Sequence, residues 1–297
     1  MAARFAPFLM LGSGISQYVG ASLAVGLFAV APALSVAWGR ILAGGLIMML
    51  WRRAVPRLPD GGFDWRTFGK AAIFGIILGA MNLSFYMAID RISLGTAVAL
   101  EYLGPVLLAA LTGRGWKARL GILLAAAGVF LISWAGVDIA DPSVAIGVAF
   151  AFLAGVFWAF YIWVGRKVAV GGRGLDSLAW AMCIAAIVYL PLGAPGIGPI
   201  IVDWKLLLFL VCVGALSSAL PYGIDQIVMR SLPAATVALL NSLLPVTSLV
   251  VGLVMLRQIP NWAEVAGITL VSVAVALATS PAHPRDVVDS GEPEAEK

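Results

Sequence analysis

Long apolar runs alternate with short polar segments along the whole chain. Each run is close to the roughly 20 residues that a helix needs to cross the hydrocarbon core of a bilayer. The runs are continuous, whereas the strands of an outer-membrane barrel alternate between apolar and polar residues over about ten positions. The pattern predicts an all-α integral membrane protein with ten transmembrane helices. The predicted spans are 7–29, 34–51, 70–89, 93–112, 117–135, 143–164, 177–193, 205–229, 233–256 and 262–280.

The second half of the chain repeats the first. The segment TAVALEYLGPV at 96–106 returns as TVALLNSLLPV at 236–246. Because each half holds five predicted spans, the second copy begins on the opposite side of the membrane, so the two copies run antiparallel as in many secondary transporters. We expect a first five-helix repeat at 1–141, a second, inverted five-helix repeat at 142–281, and a disordered cytoplasmic tail at 282–297.

Composition supports the membrane interpretation and the charges predict an orientation. Hydrophobic residues make up 62% of the chain, charged residues 11%, and the mean hydropathy is +1.01. With the N-terminus inside, 15 lysines and arginines lie in cytoplasmic segments and 3 in outer loops. This excess predicts that both termini are cytoplasmic. The net charge of +4 is therefore a topological signal, and no nucleic-acid partner is expected.

Three ionisable residues lie inside predicted spans, where a charge is costly and normally faces a partner or a water-filled cavity. Arg40 lies about 9 Å below the outer end of the second span and Glu101 about 12 Å below that of the fourth. One hypothesis is that Arg40 attracts a substrate carboxylate or holds Glu101, while Glu101 takes up and releases a proton. The alternative is a static ion pair. Asp225 lies nearer the cytoplasmic end of the eighth span, where it is either functional, solvated or paired with Arg230.

Prolines interrupt the spans at matching places. Pro105 and Pro245 are equivalent in the fourth and ninth spans, and Pro221 interrupts the eighth. Each removes a backbone donor and leaves a carbonyl free on the preceding turn. They are either hinges for a rocking motion or fixed bends that only shape packing.

Uncharged polar and aromatic residues of the spans are further candidates for a central site. Asn241 occupies the place in the second copy that Glu101 has in the first, so only the first copy carries the acid. The aromatic residues of the sixth span either line a site or belong to the interfacial belt. The remaining candidate site residues are Gln17, Asn82, Tyr86, Tyr102, Trp158, Tyr161 and Tyr222.

Several of these segments resemble the EamA-type transporters of the drug/metabolite transporter superfamily, and within it the bacterial threonine and homoserine exporters. The resembling segments are GASLAVGLF at 20–28, NLSFYMAIDRISLGTAVALEYLGPV at 82–106, WAFYI at 158–162 and ALPYGIDQI at 219–227. The resemblance implies an inner-membrane protein with two inverted repeats, a central cavity, and proton-driven efflux of small amino acids or related metabolites. By position, Arg40 matches the family's second-helix arginine, Glu101 the acid of its ALEF-like motif, and Asp225 a carboxylate after Pro-Tyr.

One departure from the family pattern concerns the end of the ninth span. Many relatives carry a Gly-Glu pair there, whereas this chain has Arg257 and Gln258. Any role of that acid therefore does not transfer to this chain.

Other classes of function fit the sequence less well. The sole histidine, His283, lies in the tail, and the chain has no HExxH, GxSxG or P-loop motif, so an enzyme, a resident cofactor or ATP-driven transport is not expected. An importer or uniporter of the same fold stays open, as do other small metabolites or drugs as substrates, because the sequence does not fix direction or coupling.

Overall fold

A computed structural model describes residues 2–53, 64–106, 116–132, 140–168, 174–231, 241 and 244–278, and within these ranges every regular element is a helix. Three short helical turns, Leu190–Gly193, Ala194–Gly196 and Gly198–Val202, lie between the helices Gly174–Val188 and Trp204–Gly214. A π turn, Ala215–Ala219, follows the second of these helices. The helices are α1 Ala2–Leu27, α2 Ala33–Arg52, α3 Trp65–Ile89, α4 Leu94–Glu101, α5 Trp116–Leu131, α6 Pro142–Val168, α7 Gly174–Val188, α8 Trp204–Gly214, α9 Leu220–Ser231, α10 Leu244–Leu256 and α11 Trp262–Ala278.

The helices bear out the predicted membrane fold in its broad class. Five helical segments are long and apolar enough to span a bilayer, and a sixth results if α7 and the turn that follows it at an angle of 57° count as one span. The helices α5, α10 and α11 are apolar but shorter over the described residues. The count of ten spans stays a prediction, since parts of the fourth, fifth, ninth and tenth predicted spans, and the predicted tail, lie outside the described residues.

Helices from the first half of the chain pack against helices from the second half. In the first half, α3 packs on α6 and α7, and α4 packs on α6. In the second half, the segment from α8 through α9 packs on α1 and α2, and α10 packs on α1. The last helices of the halves, α5 and α11, pack on each other. Gly128 and Gly267 make that contact so close that a Cβ on either would lie 2.7 or 2.6 Å from the other's carbonyl oxygen.

Polar contacts join α4 and the residue before it to the first turn of α11 and to the loop before α11, at the predicted outer end. The buried Glu264 carboxylate accepts hydrogen bonds from the hydroxyls of Thr96, at 2.8 Å, and Ser93, at 3.3 Å. The side-chain oxygen of Gln258 accepts the Leu94 N–H at 3.0 Å. Gln258 is one of the two residues that stand where many relatives carry a Gly-Glu pair. Its amide oxygen caps the first turn of α4, and an uncharged oxygen suffices for this.

At the predicted cytoplasmic end, α2 and α7 are joined by an ion pair. The Nε of Arg52 lies 2.9 Å from a carboxylate oxygen of Asp176, and both side chains are about a third exposed. The two ends of the bundle thus differ in chemistry. Hydrogen bonds to a buried carboxylate and an amide lie at the predicted outer end, and a partly exposed ion pair lies at the predicted cytoplasmic end.

Candidate functional site

A polar cavity lies among the helices of both halves. Its volume is about 40 Å³, which is room for about three water molecules. All of the predicted site residues except Tyr102 line it. The lining residues are Met10, Ser13, Gly14, Gln17, Tyr18, Ala21, Arg40, Met81, Asn82, Phe85, Tyr86, Glu101, Trp158, Tyr161, Ile162, Tyr222, Asp225, Asn241 and Leu244.

Arg40 is held rigidly in the wall of this cavity by the turn between α8 and α9. Its Nη1 donates to the carbonyl of Ser217 at 2.7 Å and to the same residue's hydroxyl at 2.9 Å. A third, longer contact of 3.2 Å joins Nη1 to the Ser218 hydroxyl. The side chain of Arg40 is 3% exposed. A buried guanidinium in hydrocarbon needs such acceptors, because an unpaired charge there is costly.

The other terminal nitrogen of Arg40 is held by α3. Nη2 donates to the Asn82 side-chain oxygen, which also accepts the Tyr222 hydroxyl at 2.8 Å. The Asn82 amide nitrogen donates to the Leu78 carbonyl at 2.7 Å, which fixes the orientation of its oxygen. The guanidinium carbon lies 4.3 Å from the centre of the Tyr86 ring, a cation–π distance. The π turn and α3 therefore position this cation directly, and Tyr222 of α9 helps to hold the Asn82 oxygen.

One nitrogen of the Arg40 guanidinium is not used by these contacts. Its Nε is buried without a hydrogen-bond acceptor among the described residues. The side-chain oxygen of Asn241, another lining group, is also buried without a donor. Buried polar groups are almost always hydrogen-bonded to protein, water or ligand. Both residues line the cavity, and these two atoms are left without a hydrogen-bond partner in the described part of the chain.

The two acids of the cavity stand apart from its arginine. Glu101 and Asp225 are half-buried and both line the cavity, but the described residues place no carboxylate within 4.0 Å of Arg40. The predicted direct pair between Arg40 and Glu101 is therefore not formed here. Asp225 likewise makes no ion pair with Arg230 within the described part of the chain and faces the cavity instead.

The aromatic residues of α6 divide between two faces. Trp158 and Tyr161 line the cavity, whereas Phe160 and Trp163 are 50% and 55% exposed on the lipid side. Lys167 lies over the exposed Trp163 ring at 3.5 Å, as expected for an interfacial anchor. The aromatic run is thus divided between two faces of α6, and a place of the exposed face in the interfacial belt stays a prediction.

Behind the cavity wall, an aromatic layer supports the lining residues. Tyr102, the one predicted site residue outside the lining, packs edge-on against Trp158 with ring centres 4.3 Å apart. Tyr161 stacks on Phe74 at 5.0 Å and reaches Tyr222 at 5.8 Å. Tyr102 therefore lies behind the lining, in contact with Trp158.

The predicted hinges occupy three different settings. Pro221 is the second residue of α9, directly after the π turn, and is buried. Pro105 lies in the half-buried helical turn at 103–106, next to the cavity wall, and Pro245 is the second residue of α10. Whether any of them moves stays a prediction.

Sequence reasoning missed the residues that hold Arg40. Ser217 and Ser218 are fully buried and supply its oxygen acceptors, and Tyr18 adds a further hydroxyl-bearing side chain to the lining. A signal for the serines was present in the sequence. They form a polar pair inside an apolar span, three and four residues before Pro221, where a proline leaves carbonyls free.

Comparisons with known proteins point to one family. The EamA-like transporter family matches residues 145–280. The threonine/homoserine exporter RhtA of Salmonella typhimurium strain SL1344 is 32% identical over 281 residues, which cover 92% of this chain and 90% of the exporter. RhtA of Escherichia coli K12 is 32% identical over 245 residues, covering 80% and 79% of the two chains.

Two further likenesses are more distant. The uncharacterized inner membrane transporter YicL of Salmonella typhimurium strain LT2 is 25% identical over 206 residues, covering 64% of this chain and 67% of that protein. A solved protein crystal structure superposes with a TM-score of 0.57 at 20% identity, covering 92% of this chain and 96% of the other. The second likeness concerns the fold alone.

Proposed function

Because the chain belongs to the EamA-like transporter family, we propose that it exports small amino acids or related metabolites across the bacterial inner membrane, by alternating access and in exchange for protons. The apolar helices and the family together make it a multi-pass inner-membrane protein. RhtA is named as an exporter of threonine and homoserine. At 32% identity over most of both chains, that activity is the natural starting point for this one.

The free edge of Arg40 is the observation that carries the proposed substrate class. The guanidinium is anchored through Nη1 and Nη2, and its Nε–H points to no protein acceptor among the described residues. A carboxylate is the group that binds a guanidinium edge most strongly, because the hydrogen bonds are charge-assisted and fit its planar geometry. The carboxylate of an amino acid completes this site.

The acids of the cavity suit the other end of the same substrate. Glu101 and Asp225 lie in the cavity wall without a basic partner in the described structure. An amino acid carries its ammonium group two bonds from its carboxylate, so a zwitterion offers a cation to these acids and an anion to Arg40. Matching both charges offsets the cost of moving them out of water.

The size of the cavity supports a mechanism in which the site opens and closes. A volume of about 40 Å³ holds a few waters but not an amino acid such as threonine. Binding and release therefore require the wall to separate. Alternating exposure of a central site is the usual way in which transporters built from inverted repeats accomplish this.

The packing of the helices supports the inverted repeat. An inverted repeat requires each contact between the halves to recur with the roles exchanged. The contacts of α3 with α6 and α7 recur as those of the segment from α8 through α9 with α1 and α2. The pair α5 and α11 is its own counterpart, with Gly128 and Gly267 in reciprocal backbone contact. We infer that the halves correspond to residues 1–141 and 142–281, with both termini cytoplasmic.

Glu101 is the proposed proton carrier, because it lines the cavity and is not committed to an ion pair among the described residues. When the cavity faces the acidic outside, the carboxylate takes up a proton and the bound ammonium group leaves. When the cavity faces the cytoplasm, the proton is released and a new substrate binds. Competition of one proton and one substrate for the same carboxylate couples their movements in opposite directions.

Flux in membrane vesicles of known orientation tests this function. Inside-out and right-side-out vesicles are given labelled L-threonine with and without a pH gradient. We expect uptake into inside-out vesicles that rises when their lumen is acidified. Glu101→Gln, which mimics the protonated acid, should bind threonine more weakly and lose the effect of the gradient. Asp90→Asn, at an acid directly after α3, serves as the matched control.

Each alternative has its own outcome in this assay. Uptake only into right-side-out vesicles would identify an importer, and flux indifferent to the gradient would identify a uniporter. Undiminished coupling in Glu101→Gln would remove Glu101 from the proton pathway. Inhibition by amines that lack a carboxylate, without inhibition by amino acids, would point to drugs or other cations as substrates.

A further inference from the structure

We propose that Pro221 and the π turn before it form a positioning element for Arg40, and that Pro221 acts by leaving backbone carbonyls free rather than by bending. The inference rests on the proposed role of Arg40 as the carboxylate-binding group. It assigns a function to three residues that do not themselves contact the substrate: Ser217, Ser218 and Pro221.

The hydrogen-bond pattern of the backbone explains why carbonyls are free at this place. In the π turn each N–H bonds one residue further back than in an α-helix, and the Leu220 N–H accordingly donates to Ala215. The carbonyl of Leu216 thereby loses its α-helical donor. Its π-helical donor would be residue 221, which is a proline and has no N–H.

The same proline removes the α-helical donor of the next carbonyl. In an α-helix the Ser217 carbonyl would accept from residue 221, and Pro221 has nothing to donate. Two successive carbonyls, those of the half-buried Leu216 and the buried Ser217, therefore need donors from elsewhere. Such groups are costly in hydrocarbon unless neighbouring helices satisfy them.

Side chains from the first half of the chain supply those donors. The Ser16 hydroxyl of α1 donates to the Leu216 carbonyl at 2.7 Å, and Arg40 of α2 donates to the Ser217 carbonyl, also at 2.7 Å. The Ser217 hydroxyl donates back to the Val213 carbonyl at 2.7 Å, which leaves its lone pairs directed at Arg40. The turn thus presents a carbonyl and two hydroxyls to one terminal nitrogen of the guanidinium.

Close packing prevents the turn from shifting. A Cβ on Gly20 would lie 2.7 Å from the Cβ of Ser217, and a Cβ on Gly44 would lie 2.8 Å from that of Ser218. The two helices that carry these glycines therefore touch the turn directly. With Nη1 fixed by the turn and Nη2 by Asn82, the plane of the guanidinium is set and its Nε edge is left for the ligand.

The positioning of Arg40 is tested by comparing the affinity of the protein for an amino acid with its affinity for the corresponding amide. The purified protein, reconstituted in vesicles of phosphatidylethanolamine and phosphatidylglycerol, is tested for binding of L-threonine and of L-threoninamide, which keeps the ammonium group but lacks the carboxylate. Pro221→Ala restores a backbone donor at 221, which competes with Arg40 for the Ser217 carbonyl and favours an α-helical register. Ser217→Ala removes one acceptor without changing the backbone.

We expect both variants to lower the ratio of threonine affinity to threoninamide affinity by about tenfold, the size of one charge-assisted hydrogen bond. The amide's own affinity should change little, which a general loss of structure would not produce. Pro142→Ala at the exposed start of α6, and Ser272→Ala at a buried serine that has no hydrogen-bond partner among the described residues, are the matched controls and should keep the wild-type ratio.

Arg40→Gln separates the failure of this inference from the failure of the proposed function. If Arg40→Gln lowers the ratio but Pro221→Ala and Ser217→Ala do not, the positioning role is wrong and the substrate assignment stands. If the wild-type protein does not prefer threonine to its amide, or Arg40→Gln keeps that preference, both fall. Should Pro221→Ala fail to fold, Ser217→Ala and Ser218→Ala decide the outcome in the same way.

Discussion

The contact between α4 and α6 gives the most direct test of how backbone packing sets the cavity. Gly155 of α6 lies against the α4 backbone, and a Cβ at this position would be 2.5 Å from the Glu101 carbonyl oxygen. Ordinary contact begins at 3.4 Å, so Gly155→Ala must push the two helices about 0.9 Å apart. Gly104, in the helical turn at 103–106 that follows α4, is also close to the Gly155 backbone, since a Cβ on Gly104 would meet the Gly155 carbonyl.

The expected effects on stability and on transport differ in size. Overpacking costs about 1–3 kcal/mol, and alanine recovers up to about 1 kcal/mol over glycine in helix propensity. The net loss in the free energy of unfolding should therefore stay below about 2 kcal/mol. The displaced backbone carries Glu101, however, and a misplacement of about 1 Å in a functional group can reduce a rate about 100-fold. Gly155→Ala should fold and yet transport poorly.

Thermal unfolding in detergent and threonine flux in vesicles measure the two effects separately. The matched control is Gly26→Ala in α1, where an added Cβ meets nothing within 4 Å. The control should keep wild-type flux, with equal or slightly higher stability. Flux through Gly155→Ala equal to that of the control would refute the idea that this contact fixes the position of Glu101.

Three further variants probe the polar contacts. Asn82→Ala removes an acceptor shared by two buried donors and should lower the free energy of unfolding by about 1–3 kcal/mol, measured by thermal unfolding, and also weaken threonine binding. Glu264→Ala takes the acceptor from the Thr96 hydroxyl and should speed hydrogen exchange at the start of α4; unchanged exchange there would argue against this contact as a clamp. Asp176→Asn breaks a partly exposed pair with Arg52 and should cost less than about 1 kcal/mol, with a smaller effect in high salt, so a large salt-independent loss would contradict that estimate.

The membrane class and most of the cavity residues could be predicted from the sequence, for one physical reason. Hydrocarbon penalises every polar group, so a long apolar run identifies a helix, and a polar residue inside a run indicates protein or water beside it. Arg40, Glu101, Asp225 and Asn82 all meet in one cavity on this basis. The family assignment, made from contiguous segments, was confirmed by the match to EamA-like transporters and to RhtA.

The partners of each residue could not be predicted, because they depend on how the helices are rotated and how deeply they lie. Depth alone suggested that Arg40 meets Glu101, whereas it is held by Ser217, Ser218 and Asn82. The π turn contains one more residue than an α-helical turn and therefore rotates the helix that follows it. A run of apolar residues in the sequence does not reveal this rotation. The division of the α6 aromatics between Trp158 inside and Phe160 outside depends on the same kind of rotation.

The small volume of the cavity bears on the energy that the cell stores across its membrane. A proton crosses hydrocarbon readily only along an unbroken wire of hydrogen-bonded water, and the apolar layer is about 30 Å thick. About three water molecules fit in the 40 Å³ of this cavity, a file of less than about 10 Å at hydrogen-bond spacing. The water in this cavity spans at most about a third of that layer, so it cannot by itself form a proton wire from one side to the other.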